Sequence, residues 1–175
     1  MLEGMSVNGY EVAYASGEEN TYQLAFTCNR IDVKNVKIAN ETDIDTLCDR
    51  MKDFDVMVFD SFQALTSHKK LNSRALEKYA VSKLTRAAKD NECIFFVMHL
   101  TKDGKLKGST IVPHTVDVNM EISIEGDIAD DARKIGFSKN RFGALNDVTL
   151  FLGAKGYDFG NPVKIEESES KAPSK

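Results

Sequence analysis

The sequence is most informative in what it lacks. It has no apolar stretch near the ~20 residues that a bilayer-spanning helix needs, so no membrane partner is expected. Its cysteines, Cys28, Cys48 and Cys93, are odd in number, widely spaced and set among apolar residues. That pattern argues against a disulfide framework or a zinc site and predicts reduced core thiols in a cytoplasmic protein. Met1-Leu2-Glu3-Gly4 has neither the charged nor the apolar region of a signal peptide. A net charge of −4 gives no global pull toward a polyanion, so any such contact has to be local. The phosphate-cradling motif G-x-x-x-x-G-K-[ST] is nowhere in the chain. Lys107-Gly108-Ser109-Thr110 has the same letters in the wrong order and does not open a helix after a buried strand.

What is present reads as one domain over 1–160 and a disordered tail over 161–175. The tail is Pro-, Ser-, Glu- and Lys-rich and ends the chain from Asn161 onward. Within the domain, Glu11–Ser16, Val36–Ala39, Val56–Phe59 and Ile94–Met98 read as short strands. Helices are predicted from Glu18 to about Asn29, over Asp43–Lys52 and over about Ser73–Asn91. Thr42 or Asp43 is the expected cap of the second helix. Strands that alternate with helices and are apolar throughout predict a parallel sheet covered on both faces. Val116–Ile124, Arg133–Ser138 and Val148–Leu152 follow with only short connections and predict antiparallel strands. Alternation of Val118, Met120, Ile122 and Ile124 predicts one buried face.

Several residues could carry chemistry, each with a plainer alternative. Asp60 ends the apolar run Val56-Met57-Val58-Phe59. At the carboxyl end of a parallel strand it would sit where open α/β sheets bind ligands, and could hold magnesium directly or through water. The alternative is a carboxylate capping the next turn. Ser16-Gly17-Glu18-Glu19 should reach the same sheet edge, where Glu18 could orient or deprotonate a water. Either glutamate could instead favour a helix start. His99 follows the fourth strand and could sense a phosphate, or be incidental. Lys102, Lys105 and Lys107 lie in a polar loop that could contact a phosphate backbone or simply be solvated. Lys139 and Arg141 end a predicted strand in Lys139-Asn140-Arg141-Phe142-Gly143. They could reach a neighbouring subunit's phosphate site or form an exposed turn. His68 and His114, without ligand-spaced partners, make a poor metal site.

Taken in order, Ser16-Gly17-Glu18-Glu19, Val58-Phe59-Asp60-Ser61, His99-Leu100-Thr101-Lys102-Asp103-Gly104 and Lys139-Asn140-Arg141-Phe142-Gly143-Ala144 resemble the ATPase core of the RadA (Sms) recombination proteins, within the RecA superfamily. The resemblance runs from about Val12 to Phe151. It implies a RecA-like P-loop NTPase core: a three-layer αβα domain whose mainly parallel sheet is extended by C-terminal antiparallel strands. It also implies Asp60 as the Walker B aspartate, Glu18 as the water-activating carboxylate and His99 as a sensor. Lys102 to Pro113 then falls where the family places a DNA-contacting loop. Lys139 and Arg141 match a signature pair linked to ATP and DNA function across a ring interface.

The family's zinc finger, its C-terminal protease-like domain and its Walker A loop have no counterpart in these residues. Met1–Asn8 aligns with the helix that follows that loop. A family strand beside the one ending at His99 is also missing, so exposed ladder groups and oligomerisation are expected. The resemblance implies ATP and Mg2+ as cofactors of the complete protein, single-stranded or branched DNA as partner, and a homo-oligomer. The chain alone is expected to bind nucleotide weakly and to be inactive. The alternative function is a non-catalytic RecA-like DNA- or partner-binding module, or an assembly subunit with vestigial motifs.

Overall fold

The computed structural model describes residues 1–89, 93–101, 111–124, 132–153 and 156–158. Its centre is a parallel sheet in the order β2-β1-β3-β4. The strands are β1 (Val12–Ser16), β2 (Lys37–Ala39), β3 (Val56–Asp60) and β4 (Cys93–Phe96). Period-2 alternation splits each central strand between two faces. Ala13, Ala15, Met57 and Phe59 meet Ile44, Leu47 and Met51 of α3 (Ile44–Met51) and Ala80, Val81 and Leu84 of α4 (Ser73–Lys89). On the other face Val12 and Val56 pack with Leu2 and Met5 of α1 (Leu2–Val7). The expected three layers are therefore present, and the helix aligned to Met1–Asn8 is observed.

The α3 helix begins where its cap chemistry dictates. The Asp43 carboxylate accepts the Thr46 N–H at 2.9 Å, satisfying a donor that the first turn leaves free. Helix α2 (Thr21–Arg30) differs from expectation in its start. Ser16 Oγ accepts the N–H groups of Glu18 and Glu19, at 3.3 and 3.0 Å. Asn20 and Gln23 then form a reciprocal capping box. Local side-chain bonds thus hold 17–20 as a turn, and the helix starts three residues later than Glu18. Only Leu24 of α2 is buried, while Tyr22 and Phe26 face outward.

The later strands form a second, antiparallel sheet in the order β5-β6-β7-β8. These are β5 (Val118–Ser123), β6 (Ala132–Asn140), β7 (Val148–Gly153) and β8 (Gly156–Asp158). Strand β8 and the short helix α5 (Val112–Thr115) were not legible in the pattern. The antiparallel strands do not continue the parallel ladder: β4 pairs with β3, and its other side has no strand among the described residues.

Two expectations are corrected. The alternating face of β5 is exposed, from 37% at Val118 to 68% at Ile124, because no layer among the described residues packs on it. The cysteines are free as expected, and half-buried Cys48 packs against the core, but Cys28 is only half-buried outside it and Cys93 is exposed on the open edge strand. The stretch 102–110, with Lys102, Lys105 and Lys107, and the tail 161–175 lie outside the described residues. Among the described residues no helix is long and apolar enough to cross a membrane.

Candidate functional site

Parallel pairing brings the ends of β1 and β3 level, with Ser16 opposite Asp60 and Tyr14 opposite Val58. The chain after Ser16 passes so close to Ala64 and Thr42 that only glycine fits. A Cβ on Gly17 would lie 2.5 Å from Ala64 Cβ and 2.9 Å from Thr42 Cγ2. The Gly17 N–H is donated to the Asp60 carbonyl at 2.7 Å, tying the turn to the end of β3. Ser16 Oγ, fully buried, takes the next two N–H groups and so aims Glu18 along the sheet edge.

There Glu18 meets two partners from distant segments. Ser61 Oγ donates to Glu18 Oε1 at 2.6 Å, and His99 Nε2 lies 2.8 Å from the same oxygen. The Ser61 hydroxyl first, and His99 second, hold the Glu18 carboxyl below its ordinary range. Glu18 is therefore ionised at neutral pH. It and His99 remain about half exposed, with side-chain accessibilities of 43% and 50%, so water and a ligand can reach them. The Gln63 side-chain amide spans the N–H and carbonyl of His99 at 3.5 Å on each side, linking the 3-10 turn Phe62–Ala64 to the end of the β4 segment.

Asp60 is held separately. Tyr14 Oη donates to Asp60 Oδ2 at 2.5 Å, reaching diagonally across the strand pair. Burial, then the bond to Asp60, pushes the Tyr14 phenol upward, so it stays a proton donor. Asp60 Oδ1 has no hydrogen bond among the described residues. Ligand atoms of Glu18, Asp60 and His99 lie within 4.8 Å of one another. This donor set suits a hard divalent cation such as magnesium, which takes one or two carboxylates and keeps several waters. Asp60 Oδ1, the oxygen that Tyr14 does not take, is the one left for such a use.

The three candidates Glu18, Asp60 and His99 are thus brought together, and the sheet edge is the place expected for them. Ser16, Tyr14, Ser61 and Gln63 were not singled out as functional. The only signal was their position beside the motif acids, and a hydroxyl next to an acid is too common to read. Lys139 and Arg141 are placed elsewhere. Lys139 Nζ donates to the carbonyls of Pro113 and His114 at 3.3 and 3.0 Å, at the end of α5, where a cation is favourable. Arg141 pairs with Asp117 at 2.6 Å. No hydrogen bond or ion pair joins either cation to Glu18, Asp60 or His99 among the described residues.

A second cluster joins Asp43, Asp45 and His68. Its acids are already engaged by the fold. Asp43 caps α3 and pairs with His68 at 3.0 Å, and Asp45 takes Lys83 at 2.8 Å and the Tyr79 hydroxyl. It ties α3 to α4 and to the loop before α4.

The layers and the acid-bearing sheet edge define a RecA-like α/β domain of the P-loop NTPase class. Solved structures show the same fold. A DnaB-like replicative helicase superposes with a TM-score of 0.75 at 13% identity, covering 89% of this chain and 52% of that one. A KaiC-like protein from Pyrococcus horikoshii gives a TM-score of 0.69 at 13% identity, covering 89% and 78%.

Within that class the chain is a RadA-like member of the RecA superfamily. It is 32% identical over 166 residues to the DNA repair protein RadA of Campylobacter jejuni, covering 89% of this chain and 36% of the relative. The RadA of Haemophilus influenzae is likewise 32% identical, over 79% of this chain and 31% of the relative. The chain therefore spans about a third of the length of the curated relatives it matches. No family model matches it.

Proposed function

We propose that the chain is the acid-bearing part of a RadA-type, DNA-dependent ATPase core acting in recombination or repair. The observation that carries this reading is the convergence of Glu18, Asp60 and His99 at the carboxyl ends of three adjacent parallel strands. In the reading, Glu18 orients and accepts a proton from the attacking water, and its depressed pKa keeps it in the basic form. Asp60 would hold magnesium, with one carboxylate oxygen already fixed by Tyr14. Magnesium, when bound with the nucleotide, supplies charge stabilisation for the phosphates. His99 reports the terminal phosphate to Glu18 through their direct contact. Lys139 and Arg141 serve a neighbouring subunit of a homo-oligomer, which requires them to exchange their present partners. Lys102, Lys105 and Lys107 contact single-stranded or branched DNA.

These residues carry no G-x-x-x-x-G-K-[ST], whose backbone N–H groups, lysine and hydroxyl do most of the phosphate binding. The 175-residue chain by itself is therefore expected to bind ATP very weakly and not to turn it over. Calorimetric titration with Mg-ATP tests this, and sub-millimolar binding would contradict it. The site itself is tested by joining the strand and loop of the Campylobacter jejuni RadA ahead of Met1. The fusion is expected to hydrolyse ATP, and Glu18→Gln in it to lower turnover about 10²- to 10⁴-fold while nucleotide binding persists. Unchanged turnover in that variant would remove Glu18 from the chemistry.

The missing loop favours one second reading, a non-catalytic RecA-like module that binds DNA or a partner. A fusion that binds Mg-ATP normally yet shows no DNA-stimulated hydrolysis would select it.

A further inference from the structure

A cleft of about 460 Å³ runs between the second half of α4 and the short helix α5. Lys78, Arg86 and Lys89 line it, with the hydroxyl-bearing Ser82 and Thr85 between them. Thr115 and Ile111 form the opposite wall. Lys78, Ser82, Arg86 and Lys89 are all exposed.

Four observations set this cleft apart from ordinary solvated lysines. Acids outnumber bases in the chain, 27 to 23, yet no carboxylate among the described residues lines the cleft. Glu77, the one acid on α4, is not among its lining residues. None of the three cations has an ion-pair partner among the described residues, whereas Lys83 on the same helix is paired with Asp45. The cations also keep helical spacing along one side of α4. From Lys78 to Lys89 they cover about 16 Å at 1.5 Å per residue, long enough to follow several phosphates. The cleft is moreover adjacent in sequence to the polar loop, because its wall residue Ile111 immediately follows the stretch 102–110.

We propose that this α4–α5 cleft is a binding track for the phosphodiester backbone of single-stranded nucleic acid, using Lys78, Arg86 and Lys89 as phosphate contacts. The proposal rests on the DNA-dependent part of the function proposed above and gives it a location distinct from Lys102, Lys105 and Lys107. Unpaired cations release counterions from a polyanion without first breaking an internal ion pair, and Ser82 and Thr85 add neutral donors between the charges. Backbone recognition of this kind carries little sequence preference.

The test uses the full chain and a fluorescently labelled oligo-dT, with binding read by anisotropy across a salt series. Lys78→Gln, Arg86→Gln and Lys89→Gln combined are expected to weaken binding at least tenfold. The slope of log affinity against log salt should fall by about 2, at roughly 0.7 per single-strand phosphate contact. A control with Lys34→Gln, Lys37→Gln and Lys52→Gln, which carries the same charge change on other surfaces, should alter binding and slope far less. Circular dichroism melts of both sets confirm that each is folded. Should the triple glutamine set melt early, single Lys78→Gln and Lys89→Gln variants at these exposed sites carry the same comparison. Equal losses in cleft and control sets would overturn the track and leave the DNA-dependent reading standing. No binding by the unsubstituted chain at low salt would overturn both. An oligo-U probe of equal length separates the two nucleic acids. Backbone recognition predicts the same cleft-specific loss with it, and loss with neither probe overturns the assignment.

Discussion

Ser61 Oγ donates to Glu18 Oε1 at 2.6 Å across 43 positions of sequence, and that bond is the main reason the Glu18 carboxyl titrates low. The two residues come from the ends of neighbouring strands, so the sheet register itself tunes the acid. A depressed carboxyl pKa contributes stability that is present above the ordinary carboxylate range, near 4.5, and lost as pH falls through the lowered value.

Ser61→Ala is accordingly expected to move the Glu18 titration back upward toward its ordinary value. A carboxyl-detected NMR titration of the two proteins measures this. His99 remains as a partner in the variant, so the recovery should be partial. An unmoved titration would mean that His99 and not Ser61 sets the shift.

Tyr14→Phe removes one hydroxyl and keeps the ring packed beside Val12 and Val56. The lost bond to the Asp60 carboxylate should cost about 1.5–3 kcal/mol in urea unfolding, the range for hydrogen bonds to charged groups. Tyr14→Phe and Asp60→Ala combined should cost less than the sum of the two single changes, since each removes the same bond. Strict additivity in that double-mutant cycle would show that the bond contributes nothing.

Gly17→Ala forces a methyl to within 2.5 Å of Ala64 Cβ, and alanine has no flexible end to move aside. The turn or the 3-10 segment has to shift, at a cost of about 1–3 kcal/mol for overpacking. Chemical denaturation measures the loss. A variant as stable as the parent would show that the close approach is relaxed in solution.

Asp43→Ala deletes the α3 cap and the pairing to His68 together. The cap alone is worth about 1 kcal/mol. Burial raises the Asp43 carboxyl, but the hydrogen bonds from Thr46 and the charge of His68 outweigh it and hold it low. Its contribution is therefore present above the ordinary carboxylate range and fades as pH drops through the depressed value. Thermal melts from neutral to acidic pH should show the two proteins converging toward the acid end. A gap that stays constant with pH would rule out the ionised cap.

Much of the fold was legible because it follows from local pattern. The Val56–Phe59 run, the helical spacing of Ile44, Leu47 and Met51 and the Asp43 cap each specify an element by themselves. The start of α2 was missed because Ser16 and Asn20 form competing local bonds that a hydrophobic period does not register. The β5 face was misjudged because alternation reports a capacity to be buried, while burial needs another layer against it. The histidines looked isolated because ligand spacing was sought along the chain. In space, His99 stands beside Glu18 and His68 beside Asp43.

The residue order alone therefore determined a parallel α/β core, an acid at the end of β3, an absent phosphate loop and a family resemblance, since each is read from short local patterns or from their order along the chain. Only the tertiary structure decided that Ser61 and His99 share one oxygen of Glu18, that Tyr14 grips Asp60, that Lys139 and Arg141 are engaged within the chain, and that α4 turns toward α5 three cations with no ion-pair partner among the described residues. Those facts depend on strand register and helix packing between segments far apart in sequence, and no local pattern encodes such distances.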